Sequence, residues 1–345
     1  MRSANAEAAL VTDPVSIAYL TGFHANPHER LMALAVSPER ATLVVPDLER
    51  ENARARARDV EVVSWHDGED PFRVLRGAIG DPPRLAVEKE HLTLARFEAL
   101  DLADVVDAGE ALRAMRAVKR PDELELLQQA ARFTDQTTDA IFGELRVGMS
   151  ELEVASRIDG HIHATGSGLA FATLVQSGPN SALPHLSPSG RRLAKGDLVL
   201  LDFGARHLGY NGDTTRMAVV GEGDARQREV HQAVLDAHDR AIEAIRAGAT
   251  CGEVDAAARS SIERAGLGEQ FIHRTGHGLG LDSHEQPNLE PGSSVRLEAG
   301  NVVTVEPGVY IPGWGGVRIE DDVVVEEHGS RILTAADRGL RVIPA

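Results

Sequence analysis

Short apolar runs alternate with helical patterns over the first third of the chain. Four of these runs have the length and composition of strands, and they begin at Leu31, Ala41, Val60 and Arg84. The segments DLERENARARAR and LTLARFEALDL have the pattern of helices and follow the second and fourth runs. This alternation predicts a small α/β unit over residues 1–117.

A helix start marks the end of this unit. In the segment MRAVKRPDELELL, Pro121 suits the first turn of a helix, and the two acidic residues after it complement the helix dipole. Apolar residues recur at helical spacing from Pro121 onward, and again after Asp224. We therefore predict two domains, residues 1–117 and residues 118–345.

The second domain repeats itself at an offset of about 100 residues. The segments RVGMSELEVA and RAGATCGEVDAA align, and each contains a capping box that starts a helix. Farther on, KGDLVLLDFG aligns with AGNVVTVEPG, which places Asp202 opposite Glu306. The repeat predicts two similar α/β halves related by a pseudo-two-fold axis, each ending in a long antiparallel hairpin. A chance match between Ala- and Arg-rich helices is the alternative, but the shared caps, glycines and carboxylate favour duplication.

Two of the predicted strands end in an acid. Asp202 follows Leu198–Leu201, and Glu306 follows Val302–Val305. A buried acid is costly unless it is paired or binds a cation. One such acid alone would suggest a cap or a salt bridge, but two at equivalent positions of a repeat favour a metal site.

Two further acids lie on the returning strands. Asp213 follows a predicted turn at Asn211–Gly212, and Glu320 lies in VRIEDD, where Asp321 and Asp322 are rival candidates. Period-two alternation puts Glu320 on the same strand face as the arginine two residues before it.

One histidine, His277, lies between the two hairpins in HRTGHGLGLDSHE. Four carboxylates and one imidazole are a ligand set for two divalent cations, which together can activate water and polarise a carbonyl. Oxygen-dominated ligation with one imidazole suits Mn²⁺, Co²⁺ or Zn²⁺. We expect two divalent ions per chain, with Mn²⁺ as the first choice.

The charge and the apolar content of the chain limit which classes of partner are expected. The 345 residues carry a formal net charge of −17, so nucleic acid, which requires a basic surface, is not an expected partner. No apolar run approaches the roughly 18–20 residues that span a bilayer, and the N-terminus lacks a signal-peptide pattern. We therefore expect no membrane contact and a cytoplasmic location. The single cysteine, Cys251, suits a reducing compartment.

Five motifs, LDFG, GDTTR, TGHGLG, VEPGVY and RIED, resemble the pita-bread metallopeptidases in their order and spacing. That family contains methionine aminopeptidase, aminopeptidase P and prolidase, with creatinase as a metal-free relative. The likeness covers residues 119–345. In addition, SIAYLTGF, at Ser16–Phe23, is similar to the small N-terminal domain of the proline-specific and creatinase branches. The resemblance implies an α/β (α+β) fold, with a creatinase-like N-terminal domain followed by a pita-bread domain, and argues against methionine aminopeptidase.

The resemblance also implies roles for individual residues. The implied ligands of the two metal ions are Asp202, Asp213, His277, Glu306 and Glu320. All five are present, which disfavours a metal-free creatinase. His185, in PNSALPHLSPSGRRL, resembles a histidine that contacts substrate and the tetrahedral intermediate, although it would otherwise be interpreted as an exposed loop residue. His284 resembles the second substrate histidine, near the scissile carbonyl, and Arg318 resembles an arginine that orients the substrate beside the metals.

The loop HANPHER, at His24–Arg30, closely resembles a DPHER-type loop of bacterial prolidases, with Asn26 where aspartate is usual. In those enzymes the loop reaches from one subunit into the active site of the other. This implies a homodimer in which His28 and Arg30 lie near the terminal carboxylate of a dipeptide. Arg274 also matches a position associated with that recognition. A loop that serves only as a dimer contact is the alternative.

The function implied by the resemblance is hydrolysis of the Xaa-Pro bond of dipeptides by a bridging hydroxide. Glu306 would be the general base, and His185 or His284 would stabilise the oxyanion. The nearest alternative is an aminopeptidase P that acts on longer peptides with a penultimate proline. Two others are a metal-free binding module that keeps the fold, and a dimetal hydrolase of non-peptide amides or organophosphorus esters.

Overall fold

A computed structural model describes residues 6–80, 82, 84–102 and 104–345. The chain divides into two units, Met1–Arg116 and Ala117–Ala345, each with its own sheets and apolar clusters. Within the described ranges, no helix is both long enough and apolar enough to cross a membrane.

The first unit contains a six-stranded mixed sheet with helices. Its strands are β1 (Ala8–Val11), β2 (Ala33–Val36), β3 (Ala41–Pro46), β4 (Glu61–Trp65), β5 (Leu85–Val87) and β6 (Val105–Asp107). Its helices are α1 (Pro14–Thr21), α2 (Arg50–Arg56), α3 (Pro71–Ile79), α4 (Leu94–Leu100) and α5 (Gly109–Ala117). The strand order is β4-β3-β2-β1-β5-β6, and β1 is parallel to β5 but antiparallel to β2.

Both faces of this sheet are buried. Leu10 belongs to one apolar cluster, whereas its neighbour Val11 belongs to another on the opposite face, as the period of two requires. Because helices cover both faces, the strands are nearly continuous apolar runs. The four predicted strands are confirmed as β2 to β5, while β1 and β6 were not predicted.

The second unit contains two similar halves. The elements of the first half are α6 (Pro121–Glu144), α7 (Glu151–Ala164), β7 (Gly168–Leu169), β8 (Leu174–Ser177), β9 (Leu198–Phe203), β10 (Ala205–His207), β11 (Tyr210–Asn211) and β12 (Thr214–Val220). Those of the second half are α8 (Ala225–Ala244), α9 (Cys251–Arg264), β13 (Gly276–Gly278), β14 (Glu285–Leu289), β15 (Val302–Val305), β16 (Gly308–Ile311), β17 (Gly315–Arg318), β18 (Asp321–Glu326), β19 (Gly329–Ile332) and β20 (Arg341–Ile343).

The predicted helix starts are confirmed. Pro121 occupies the first turn of α6, and Asp224 caps α8. In both α7 and α9 the cap hydroxyl, from Ser150 or Thr250, accepts a hydrogen bond of 3.1 Å from the backbone N–H three residues later. Matching caps in the two halves are what a duplicated sequence produces.

The hairpins of the two halves have the same plan. Strand β9 pairs antiparallel with β12, and the small hairpin β10–β11 lies between them in sequence. Likewise, β15 pairs with β18, and the hairpin β16–β17 lies between them. Leu198 and Leu200 of β9 share one apolar cluster with Val303 and Val305 of β15. The strand ends that carry the first acid of each pair are therefore held by a common core.

The predicted turn at Asn211–Gly212 is wrong. The turn lies at Leu208–Gly209, where both residues have positive φ angles, and Asn211 is a buried residue of β11. Gly212 is needed for a different reason, because a Cβ there would lie 3.0 Å from the backbone of Ala130 in α6. The glycine reflects close packing of a strand end against a helix.

Candidate metal centre

Four acids lie at the roots of the two small hairpins. Asp202 lies near the end of β9, shortly before β10, and Asp213 immediately precedes β12. Glu306 immediately follows β15, and Glu320 immediately precedes β18. Equivalent positions of the two halves thus place one acid before and one after each small hairpin.

These roots face a cavity of about 640 Å³. Its charged and imidazole lining residues are His185, Asp202, Asp213, His273, Arg274, His277, His284, Glu306, Arg318 and Glu320. Its apolar lining residues are Phe171, Leu174, Pro184 and Ile272. The structure therefore gathers all five predicted metal ligands, together with four of the predicted substrate residues, around one space.

Contacts within the cavity join the five predicted ligands. Asp213, His277 and Glu320 are buried, and each offers one ligand atom within 4.8 Å of the others. The Nε2 atom of His277 lies 3.3 Å from Oε1 of Glu306. Asp202 is in contact with Arg318, whose Nε also lies 4.0 Å from Oε2 of Glu306. The five acceptors and the arginine form one contiguous group.

Two buried threonines orient this group, and sequence reasoning did not identify either. Thr215 donates a hydrogen bond of 2.6 Å to Oε2 of Glu320 and accepts one of 2.9 Å from Nε of Arg318. Thr304 accepts from the backbone N–H of His277 at 3.1 Å, and its hydroxyl lies 3.4 Å from Oε1 of Glu306. The contacts of Thr215 join residues that are far apart in the sequence, so motif spacing gave no signal for them.

The rival acids after Glu320 are engaged elsewhere. Asp321 lies 2.6 Å from Arg216 and 3.1 Å from Nε2 of His238, all fully buried. Asp322 accepts a hydrogen bond of 3.0 Å from the backbone N–H of Asp213. Neither rival lines the cavity, whereas Glu320 does.

The histidines and arginines lie on the walls of the cavity. The ring of His284 stacks on that of His277 with centroids 3.9 Å apart. Burial lowers the pKa of His284, and the nearby charge of Arg274 lowers it further. Both effects favour a neutral imidazole, which can donate or accept a hydrogen bond.

A second layer supports Arg318. Its Nη1 donates to the hydroxyl of Tyr310 at 2.9 Å, and that hydroxyl lies 3.0 Å from Nε2 of His273. Burial lowers the pKa of His273 to about 4, so this ring is neutral. His273 was not expected at the site, because it fits no ligand spacing. Tyr310 lies within VEPGVY, and its position in that motif was the available signal.

His28 and Arg30 belong to the first unit. Arg30 makes a two-point contact with Asp67, at 3.0 and 2.9 Å, and the backbone of His28 has a φ of 53°. Among the described residues, the group that lines the cavity includes neither of them. A contribution from a second subunit stays a prediction.

Comparisons with known proteins identify the family. Residues 125–327 match the description of metallopeptidase family M24, and residues 1–118 match the Creatinase/Prolidase N-terminal domain. The chain belongs to metallopeptidase family M24. The predicted fold class, a creatinase-like N-terminal domain followed by the family's metallopeptidase domain, is confirmed.

Relatives of this M24 chain match it over nearly its full length. The Xaa-Pro dipeptidase of Lactobacillus helveticus is 35% identical over an alignment of 356 residues, covering 100% of this chain and 97% of that protein. The solved Xaa-Pro dipeptidase from Bacillus anthracis has a TM-score of 0.92 and 34% identity, covering 99% of this chain and 96% of that one. The X-Pro aminopeptidase from Thermotoga maritima has a TM-score of 0.89 and 32% identity, with 99% of each chain covered.

An M24 metallopeptidase requires divalent metal ions, and the electrostatics of the cavity fit them. Burial, and then the charge of Glu320, hold the pKa of Asp213 well above its usual value. Burial, and then the charge of Glu306, do the same to the pKa of Glu320. Burial likewise raises the pKa of Glu306 to about 7. Burial and the neighbouring acids thus disfavour the ionised carboxylates even with Arg318 beside the group, and a bound cation would favour them.

Acceptor atoms without a hydrogen-bond partner also favour a metal site. Oδ1 of Asp213 is buried and has no hydrogen-bond partner among the residues that the structure describes. Burial, and then the charge of His284, lower the pKa of His277 to about 3, so its ring is neutral. Its Nδ1 lies 3.1 Å from the carbonyl of Gly278, which leaves Nε2, beside Glu306, with a free lone pair. Oxygen acceptors and one neutral imidazole are ligands that suit a divalent transition metal.

Proposed function

We propose that this chain is a metal-dependent Xaa-Pro dipeptidase. One observation carries the proposal: a single cavity combines five acceptor side chains with an apolar wall, in a chain that aligns over its whole length with a relative named Xaa-Pro dipeptidase. The acceptors suit divalent ions, and the apolar wall suits a pyrrolidine ring. Hydrolysis of a bond to proline uses both.

The ligands in this proposal are Asp202, Asp213, His277, Glu306 and Glu320. They would hold two divalent ions, with Mn²⁺ expected first and Co²⁺ or Zn²⁺ as alternatives. When bound, such ions lower the pKa of a water molecule toward neutrality and polarise the carbonyl of the scissile bond.

Glu306 is proposed as the general base. Burial raises the pKa of Glu306 to about 7, and bound metal ions would lower that pKa again. The carboxylate would then be ionised at neutral pH, while its pKa would stay close enough to neutral for it to accept a proton. It takes the proton of the attacking water and passes it to the proline nitrogen. The contact of Oε1 with Thr304 and His277 fixes the orientation of the carboxylate for this transfer.

The remaining polar wall positions the peptide. His185 or His284 donates a hydrogen bond to the carbonyl oxygen as negative charge develops on it, an effect often worth a few kcal/mol. Arg318 is held by Thr215 and Tyr310 and orients the substrate beside the acids. Arg274, on the same cavity, pairs with the terminal carboxylate of the dipeptide.

The apolar wall explains a preference for proline. Phe171, Leu174, Pro184 and Ile272 line the cavity and offer no hydrogen-bond acceptor from their side chains. The nitrogen of a bond to proline has no N–H, so no hydrogen bond is lost when it lies against such a wall. An ordinary peptide N–H would be left there without a hydrogen-bond partner.

The proposal also includes the oligomeric state and the location of the protein. The first domain, residues 1–117, is proposed to form a homodimer in which His28 and Arg30 of one subunit close the site of the other around a free dipeptide. A cytoplasmic location also stays a prediction. Light scattering of the purified protein tests the dimer, and Arg30→Ala should raise KM for dipeptides without changing metal content.

A second candidate is an Xaa-Pro aminopeptidase that acts on longer peptides. Likeness to the X-Pro aminopeptidase from Thermotoga maritima favours it. The test compares kcat/KM for Xaa-Pro and Xaa-Pro-Yaa at saturating Mn²⁺. The dipeptidase predicts a preference of about tenfold or more for the dipeptide, equal to about 1.4 kcal/mol, and the reverse preference would select the aminopeptidase.

Two variants test the metal-dependent chemistry. Asp213→Ala and Glu306→Ala should each abolish turnover while the protein stays folded. Metal analysis of protein purified without chelator should find two equivalents of a transition metal in the wild type and less in Asp213→Ala. Full activity in either variant would remove this mechanism, and a wild type without metal would favour a binding module. Assays on other amides and on organophosphorus esters test for a different hydrolase.

A further inference from the structure

The loop that carries His185 has little regular structure of its own. It leaves β8 through a short 3₁₀ helix, Gly178–Ala182, and reaches β9 at Leu198. Near His185 its backbone makes a local turn, in which the N–H of Leu186 donates to the carbonyl of Leu183 at 3.0 Å. His185 itself lines the cavity. Something outside the loop must therefore fix where this ring lies.

One buried side chain holds the backbone on both sides of His185. Nε2 of Gln176 donates to the carbonyl of Pro184 at 3.1 Å and to the carbonyl of Leu186 at 3.0 Å. Both partners are carbonyl oxygens, which only accept, so the amide nitrogen must face them. Gln176 is fully buried. We refer to this pair of hydrogen bonds as the Gln176 clamp.

The clamp is anchored to the strand that neighbours an acid of the site. Gln176 lies on β8 opposite Leu200 of β9, and Leu174, two residues earlier, lies opposite Asp202. Residues two apart on a strand share a face, so Gln176 and the cavity-lining Leu174 point the same way. The clamp thus fixes His185 relative to the sheet edge that carries Asp202.

The buried amide of Gln176 lowers the stability of the fold. Its Oε1 is buried and has no hydrogen-bond partner among the described residues. A buried acceptor without a partner is destabilising, and a leucine of similar size would avoid that penalty. Glutamine donates two hydrogen bonds that leucine cannot donate. The clamp therefore explains why a glutamine occupies this buried position.

Another buried side chain holds the backbone on each side of the His185 segment, at Ser177 and at Ser189. Glu151, at the start of α7, accepts hydrogen bonds from the backbone N–H and hydroxyl of Ser177 at 2.8 and 2.7 Å. It also accepts from the N–H and hydroxyl of Ser189 at 3.0 and 2.6 Å. Between these two points held by Glu151, the hydrogen bonds from Gln176 hold the backbone of the residues next to His185.

We propose that Gln176 is a positioning residue that sets the place of His185 at the cavity. The inference rests on the proposed function, in which His185 contacts the reacting peptide. Without the clamp the loop keeps its contacts with Glu151, but the ring of His185 samples other positions. A displacement of about 1 Å in a catalytic contact can cost about a hundredfold in rate.

The first test uses steady-state kinetics with an Xaa-Pro dipeptide and Mn²⁺. Gln176→Leu should lower kcat by about ten- to a hundredfold with unchanged metal content. Gln128→Leu is the matched control, because Gln128 also donates to a backbone carbonyl, that of Leu333, away from the cavity. In a His185→Ala background, Gln176→Leu should have no further effect on kcat, since it acts through His185. An undiminished loss in that background would overturn the proposal.

The second test does not depend on activity. Hydrogen exchange of the segment 183–190 should be faster in Gln176→Leu than in the wild type, and exchange of β9 should be unchanged. Gln176→Met has an unbranched side chain of similar length without any donor, so it should release the segment too and controls for the shape of leucine; unchanged exchange in both variants would refute the clamp. Should the wild type fail to cleave Xaa-Pro peptides, the proposed function fails, while exchange still decides whether the clamp exists.

Discussion

Removing the charge of Glu306 should stabilise the protein when metal is absent and weaken it when metal is present. The perturbation is Glu306→Gln, which keeps the size of the side chain. The carboxylate lies in a buried group with three other acids, so in a chelator its negative charge is poorly compensated. The amide removes a charge whose contribution to stability is expected to become favourable mainly when a metal ion is bound.

The magnitude follows from the pKa. Burial is the main cause that raises the pKa of Glu306 from 4.5 to about 7, with the charge of Asp202 adding to it and that of Arg318 opposing it. Since the folded pKa lies above the unfolded one, the folded protein binds the proton more tightly, and stability falls as pH rises from about 4.5 to about 7. The loss is about 3 kcal/mol, because a tenfold change in proton affinity is worth about 1.4 kcal/mol.

The assay is urea and thermal unfolding across this pH range, in chelator and in saturating Mn²⁺. At pH 8 in chelator, Glu306→Gln should be more stable than the wild type by up to about 3 kcal/mol, or roughly 6–12 °C for a unit of this size. Its stability should also change less between pH 4.5 and 7. In Mn²⁺ at a thousand times the wild-type Kd the order should reverse, because binding then adds about 4.1 kcal/mol to the protein that binds the ion well, which exceeds the gain of the variant in chelator.

The control is Glu229→Gln, a charge removal at an exposed position of α8, which should leave both stabilities unchanged. A Glu306→Gln protein that is less stable than the wild type in chelator at pH 8 would refute the reasoning. It would mean that the carboxylate is favourably paired without any metal ion.

Three further predictions concern stability and reactivity. Glu151→Gln should lower the free energy of unfolding by about 3 kcal/mol in urea titrations, since an amide cannot accept all the hydrogen bonds from Ser177 and Ser189. Cys251 is buried, and burial raises its thiol pKa to about 11, so a thiol reagent at pH 8 should label it only after unfolding; labelling of the folded protein would contradict this. Gly212→Ala should destabilise by about 1–3 kcal/mol because of the backbone of α6, whereas Gly143→Ala, at an open helical position, should not.

Much of the candidate site could be predicted because its signals are local. Asp202 and Glu306 each end a run of apolar residues, and the internal repeat alone puts them at equivalent positions of the two halves. The capping residues Ser150 and Thr250 act within one helical turn, so their geometry follows from sequence alone. Contacts of this kind can be predicted because they join residues that are close in the sequence and do not depend on distant parts of the chain.

What sequence reasoning missed depends on distant contacts. Thr215 reaches Glu320 across 105 residues, and Gln176 reaches the His185 loop through irregular backbone that has no periodic pattern. The repeat also misleads where the halves differ, since Glu151, which anchors that loop, aligns with Cys251, which is simply buried. The Asn-Gly pair at 211–212 suggested a turn, but packing against α6 overrode the local preference.

The β10–β11 hairpin has a practical consequence for engineering. Its tip, Leu208–Gly209, leaves the leucine 68% exposed, while the acids lie at its root. Exposed tips tolerate inserted segments far better than strand ends do. An affinity tag or a fluorescent reporter spliced between these two residues should therefore leave the root undisturbed, giving a handle for immobilising the enzyme without touching either terminus.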